Sequence, residues 1–148
     1  DLLMFLVFFL SSIVFGGLEE IGWRGYLLPR LMKKTNLIVA TIIVGIFWGI
    51  WHLPFFFIEG LPFQSYALIP YLLGAMMFST YLSYIYVKTK SILLTIFFHA
   101  SINASASIGL GLIFKNEMIV YAYLIVLTVI GFALLIALPS NGYDENKD

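Results

Sequence analysis

The chain has 148 residues, 61% hydrophobic and 11% charged, with eight basic and eight acidic side chains and a mean hydropathy of +1.00. A soluble domain carries about 25% charged residues, so this composition belongs to a membrane protein. Zero net charge argues against a nucleic-acid partner, which needs clustered Lys and Arg, and the absence of cysteine excludes disulfides, thiolate metal ligands and a cysteine nucleophile.

Five apolar stretches follow one another: Leu2 to Leu18, Leu37 to Ile58, Tyr66 to Val87, Ile92 to Phe114 and Met118 to Leu138. The last four are each 21 to 23 residues long, enough to cross ~30 Å of hydrocarbon as helices. Backbone groups in lipid are satisfied only within helices or closed barrels, and these stretches are too long and too uniformly apolar for barrel strands. The expected fold is all-α: a polytopic transmembrane helical bundle with about five membrane helices in residues 2–138, followed by a polar tail over 139–148. The chain opens at Asp1 without Met or a basic n-region, so it reads as a fragment that lacks N-terminal helices rather than as a signal peptide. It contains no internal repeat.

The first stretch runs into Gly-Gly-Leu-Glu-Glu-Ile-Gly-Trp-Arg-Gly, which places Glu19, Glu20 and Arg24 at its end. A charge at the centre of a membrane helix costs ~2.5 to 3.5 kcal/mol on insertion scales, so each needs a reason. Glu20 and Arg24 stand at i and i+4 with the acid N-terminal, the favourable order for an ion pair. Glu19 points about 100° away and is free to meet a group on another helix. Residues 2–34 form either one long helix kinked at Pro29 or a membrane helix followed by an interfacial amphipathic one over 19–34. Gly16, Gly17, Gly22 and Gly25 read as close-packing or kink positions, since no Gly-Lys-Ser/Thr phosphate motif follows.

In the second stretch His52 lies 16 residues after Asn36, while Glu19 lies 15 before Lys34, so an antiparallel hairpin sets them at matching depth. Pro54 is a candidate kink, and Phe55-Phe56-Phe57 reads as a membrane-interface belt. The third and fifth stretches hold no Asp, Glu, Lys, Arg or His and are expected to complete the wall. In the fourth, His99 and Asn103 are i and i+4 and face one point, among small residues (Ala100, Ser101, Ala104 to Ser107, Gly109, Gly111) that permit close helix approach. His99 follows Lys90 by nine residues, which leaves it shallower by ~10 Å, so tilt or a kink is needed to bring it level. The turns holding Lys33/Lys34 and Lys88/Lys90 share one side with Arg30 and the tail, and the positive-inside bias places that side in the cytoplasm.

Two histidines, two carboxylates and an amide in a membrane cavity can activate a water and stabilise an oxyanion, as peptide hydrolysis requires. His52, His99 and Glu19 also make up the His₂Glu set of a catalytic zinc site, although no His-Glu-x-x-His pair is present. A Ser-His-Asp triad lacks its acid, because Asp1, Asp144 and Asp148 lie at the chain ends. The alternative from another class is a non-catalytic scaffold or transporter fragment whose buried charges form a relay or structural network.

Three motifs carry a family resemblance. Glu19-Glu20-Ile-Gly-Trp-Arg24 resembles the Glu-Glu-x-x-x-Arg motif of the CPBP intramembrane proteases, the group of CAAX prenyl endopeptidases and bacteriocin-processing or self-immunity proteins also called Abi. His99-Ala-Ser-Ile-Asn103 resembles the family's His-x-x-x-Asn, and Trp48-Gly-Ile-Trp-His52 resembles Phe-x-x-x-His, with Trp48 keeping an aromatic wall in place of Phe. The resemblance extends over roughly residues 2–138. It implies an intramembrane endopeptidase in which Glu19 and His52 activate the attacking water and His99 and Asn103 steady the oxyanion; Glu20 and Arg24 belong to the motif, and their i, i+4 spacing gives them the task of ordering the site. It further implies a peptide or protein substrate in the lipid bilayer, prenylated tails among the options, and a multi-pass protein of a bacterial cell membrane. A divalent metal such as zinc, held by Glu19, His52 and His99, stands beside a metal-free glutamate mechanism. Within the family, bacteriocin self-immunity is the alternative role.

Overall fold

The computed structural model describes residues 2–61, 63, 67–107 and 117–138. These form five helical elements and, among the described residues, no strand: α1 (Leu2–Met32), α2 (Leu37–Trp51), α3 (Leu68–Thr89), α4 (Ile92–Ser107) and α5 (Glu117–Ile136). α1, α3, α5 and α2 with its continuation to Phe57 are each long and apolar enough to cross a membrane. The chain is an integral membrane protein. The described part of α4 runs over 16 residues, and residues 108–114 of its apolar stretch, Gly109 and Gly111 included, lie outside the described residues, as does the tail from 139.

Residues 2 to 32 make one continuous helical element, as the long-helix reading expects. It is not uniform: Ile13–Gly17 and Trp23–Leu27 are π-helical, and the α-helical turn Glu19–Gly22 lies between them. Such wide turns cluster at functional sites. The second precedes Pro29, which has no N–H to offer the carbonyl four residues back, so the distortion falls where regular hydrogen bonding is already broken. No residue of Leu2–Ser12 is fully buried, and Leu2, Leu3, Leu6, Val7 and Leu10 are exposed apolar side chains.

Asn36 caps α2, its side-chain oxygen accepting from the Val39 N–H at 2.9 Å. The helix stops at His52, and a 3₁₀ turn over Leu53–Phe57 follows with Pro54 in its first positions. α3 ends at Lys90, which adopts the left-handed conformation (φ 54°) and donates its N–H to the Tyr86 carbonyl at 2.7 Å. The reversal lets α4 start at Ile92.

α3 packs against α2, α4 and α5, while α1 packs against α4. Leu28 with Ala40 and Val44 fills the α1–α2 seam, and Trp48 with Ala75 and Leu82 the α2–α3 seam. A methyl at Gly45 would lie 3.0 Å from Met76 Sδ, which shows how closely α2 and α3 approach. α5 is held to α3 by the Tyr81 hydroxyl, which donates to the Leu127 carbonyl at 3.0 Å, and by Gly131 against Thr80. The centre of the bundle is polar: Glu20, Arg24, Thr41, Ser79, Ser83 and His99 are all buried.

Candidate active site

Two glycines on α1 set the position of α4. A methyl at Gly17 would lie 3.0 Å from both Ile96 Cγ2 and the Ile96 carbonyl oxygen. A methyl at Gly16 would collide with Asn103 Nδ2 and sit 3.3 Å from His99 Nε2. These contacts require residues without side chains. They also place His99 Nε2 and Asn103 Nδ2 against the same spot on α1, the convergence expected of an i, i+4 pair.

The depth offset expected for His99 is overcome, and its partner is Glu20: His99 Nδ1 lies 2.9 Å from Glu20 Oε1. The same oxygen accepts from Arg24 Nη1 at 3.0 Å, with both side chains fully buried. A carboxylate only accepts, so His99 Nδ1 carries a proton. Arg24 Nη2 reaches the Ser79 carbonyl at 3.5 Å, and its guanidinium lies 5.3 Å from the Trp48 ring. Glu20 Oε2 and Arg24 Nε have no hydrogen-bond partner among the described residues, so the pair is held at one point of contact.

Glu19 has a different environment. Its side chain is 26% exposed where that of Glu20 is 0%. Oε2 accepts from the Trp48 indole N–H at 2.8 Å and from that of Trp23 at 3.4 Å. Oε1 faces His52 Nε2 across 4.0 Å, beyond direct hydrogen bonding. His52 Nδ1 is 2.8 Å from the Trp48 carbonyl oxygen, which can only accept, so Nδ1 is protonated and Nε2 is the nitrogen turned toward Glu19. Glu19 thus meets α2, as its freedom from a local cation led one to expect.

Rings of Phe55, Phe63 and Tyr71 stand 5.7 to 5.9 Å from His52, and Phe56 packs on Phe63 and Tyr71 at 5.6 and 5.2 Å. Phe55 and Phe56 are therefore packed into this cluster rather than spread as an outward belt, and only Phe57 is exposed, at 83%. In the 3₁₀ turn after His52, Phe55 packs directly on the histidine, and Phe56 reaches it only through Phe63 and Tyr71.

A metal is not accommodated by these residues as placed. Among the described residues no three of His, Cys, Asp or Glu are grouped to hold an ion. Of the set Glu19, His52 and His99, the first two face each other across 4.0 Å, while His99 Nε2 lies beside Gly16 and Asn103 on the α1–α4 seam.

A family model described as type II CAAX prenyl endopeptidase, Rce1-like, matches residues 1–105. The chain belongs to this family. All six residues singled out in the sequence, from Glu19 to Asn103, fall inside the matched region, and α5 lies beyond it. The chain is also 33% identical over 96 residues to CAAX prenyl protease 2 of the archaeon Methanococcus maripaludis, an alignment covering 57% of this chain and 34% of that protein. The chain therefore spans about a third of the relative's length. No solved structure matches.

Two contributors were missed in the sequence. In the sequence Trp48 stands only as an aromatic wall, yet it supplies a hydrogen bond through its side chain and another through its backbone. Trp23 adds the weaker one. The available signal was the indole N–H, a donor that needs a partner when buried, four residues from Glu19 in one case and from His52 in the other.

Proposed function

We propose that the protein is an intramembrane endopeptidase that hydrolyses a peptide bond in a membrane-anchored, prenylated protein. The observation that carries this reading is Glu19 Oε1 facing the unprotonated His52 Nε2 across 4.0 Å inside a membrane-spanning bundle. That gap is wide enough for a bridging water to hydrogen-bond to both atoms, each within about 3 Å. The prenyl class of substrate is supported by the names of the matched family and of the archaeal relative.

The proposed reaction needs only this chain's side chains. Glu19 Oε1 takes one proton as the water oxygen bonds to the scissile carbonyl carbon, while His52 Nε2 accepts a hydrogen bond from the water's other hydrogen. The carbonyl oxygen, now an oxyanion, lies against Asn103 Nδ2 and His99 Nε2, both donors in the reacting state. With Nδ1–H given to Glu20, His99 offers Nε2–H only as an imidazolium. That charge state balances the site, since Glu19, Glu20 and Arg24 together carry one net negative charge. The carbon–nitrogen bond then breaks, and Glu19 returns its proton to the departing amine nitrogen. Glu20 and Arg24 fix His99 and do not touch the substrate.

The test compares new peptide termini in membranes of cells expressing the full-length protein or its Glu19→Gln variant at matched levels. Termini present only with the parent protein support proteolysis and name its substrates. Identical termini with both proteins folded contradict it.

A further inference from the structure

We infer that Trp48 is a positioning residue that gives the two oxygens of Glu19 different tasks, reserving Oε1 as the proton acceptor. The inference rests on the reading of Glu19 as the base. Trp48 touches four of the six site residues, Glu19, Arg24, His52 and His99. Its indole N–H donates to Glu19 Oε2 at 2.8 Å, and its carbonyl accepts from His52 Nδ1 at 2.8 Å. Its ring meets His99 edge-on at 5.2 Å and His52 at 5.9 Å, and it lies 5.3 Å from the Arg24 guanidinium.

Each of the two hydrogen bonds removes one degree of freedom that hydrolysis would otherwise have to fix. A carboxylate on a partly exposed side chain can exchange its oxygens by rotating about its last bond, and a neutral imidazole can exchange its protonated nitrogen. The indole N–H anchors Oε2, which leaves Oε1 turned toward His52. The Trp48 carbonyl holds the proton of His52 on Nδ1, which leaves the Nε2 lone pair turned toward Glu19. One residue therefore aligns both partners of the water. The Trp23 N–H, at 3.4 Å from the same Oε2, is too long to do this alone. The ring itself cannot swing aside, because it is 6% exposed and packed among Arg24, His99 and Ala75. Phenylalanine at this position would keep the packing and the backbone carbonyl but lose the N–H, so Trp48→Phe isolates the anchor on Glu19.

The experiment uses the full-length protein in detergent micelles with a synthetic farnesylated peptide as probe. Trp48→Phe is expected to lower kcat roughly ten- to a hundredfold, the loss of one charge-assisted hydrogen bond, with KM unchanged within about twofold. Trp51→Phe, three residues on and 59% exposed, is the control and keeps kcat. In ¹⁵N-tryptophan-labelled protein, the Trp48 indole proton should resonate downfield of that of Trp51 and move upfield in Glu19→Ala, while the Trp51 signal stays.

If Trp48→Phe does not fold, Trp48→benzothienylalanine, which keeps the bicyclic shape without the N–H, should show the same fall in kcat. A folded variant that lacks the N–H and retains kcat, or a Trp48 indole signal indifferent to Glu19→Ala, overturns the inference while leaving the protease reading intact. A parent protein that cleaves no peptide and yields no new termini overturns both.

Discussion

Removing Arg24 should destabilise the bundle far more than removing Arg24 and the charge of Glu20 together. The two side chains are completely buried and joined by one contact of 3.0 Å, with Glu20 Oε2 and Arg24 Nε partnerless among the described residues. Such a pair contributes little net stability, because its desolvation cost offsets its attraction. Breaking it is another matter: Arg24→Met leaves a carboxylate in the centre of the bundle with His99 Nδ1–H as its remaining partner. The expected loss is ~3 to 5 kcal/mol, the usual cost of a stranded buried charge. In Glu20→Gln/Arg24→Met the amide oxygen still accepts from His99 and no charge is stranded. The double variant should therefore be more stable than Arg24→Met alone, with a coupling above about 1 kcal/mol. Equilibrium unfolding of the full-length protein in mixed micelles, monitored by helical circular dichroism, measures all four corners of the cycle. A loss below about 1 kcal/mol for Arg24→Met, or additive single changes, would refute the reasoning.

The glycines give three further tests. Gly16→Ala pushes a methyl into Asn103 Nδ2 and against His99 Nε2, so peptide cleavage should fall more than tenfold, a barrier increase above about 1.4 kcal/mol, measured as initial rates on the farnesylated peptide. Gly22→Ala, on the same helix with nothing within 4 Å of the added carbon, should stabilise the fold by roughly 0.5 to 1 kcal/mol, since alanine is the better helix former. Gly131→Ala collides with Thr80 and should loosen α5 from α3, lowering unfolding free energy by about 1 to 3 kcal/mol, whereas Gly131→Ala/Thr80→Ala should recover part of that loss.

What was legible in the sequence was local or set by solvent. The apolar lengths follow from bilayer thickness, and the Glu20–Arg24 pair follows from helical spacing. Matching depths in a hairpin put His52 opposite Glu19. Features that depend on how neighbouring helices tilt were not legible. His99 meets Glu20 because Gly16 and Gly17 let α4 close on α1, and nothing in the spacing of residues 90 to 99 encodes that approach. The π turns at Ile13–Gly17 and Trp23–Leu27 have no compositional signature, since one shifted hydrogen bond leaves the apolar pattern almost unchanged. Phe55 looks the same in sequence whether it faces headgroups or His52, and the 3₁₀ turn that follows the histidine decides between them. Trp48 was legible as an aromatic but not as a donor, because the donor role depends on which helix lies opposite its N–H.

The most direct test of a hydrolytic pair at Glu19 and His52 is cleavage of a farnesylated peptide by the purified full-length protein in H₂¹⁸O, beside Glu19→Gln and His52→Ala. The parent protein should release a fragment whose new carboxylate carries one ¹⁸O, and both variants, folded by circular dichroism, should release none above background. Cleavage at the parent rate by either variant would contradict the assignment of the attacking water to this pair.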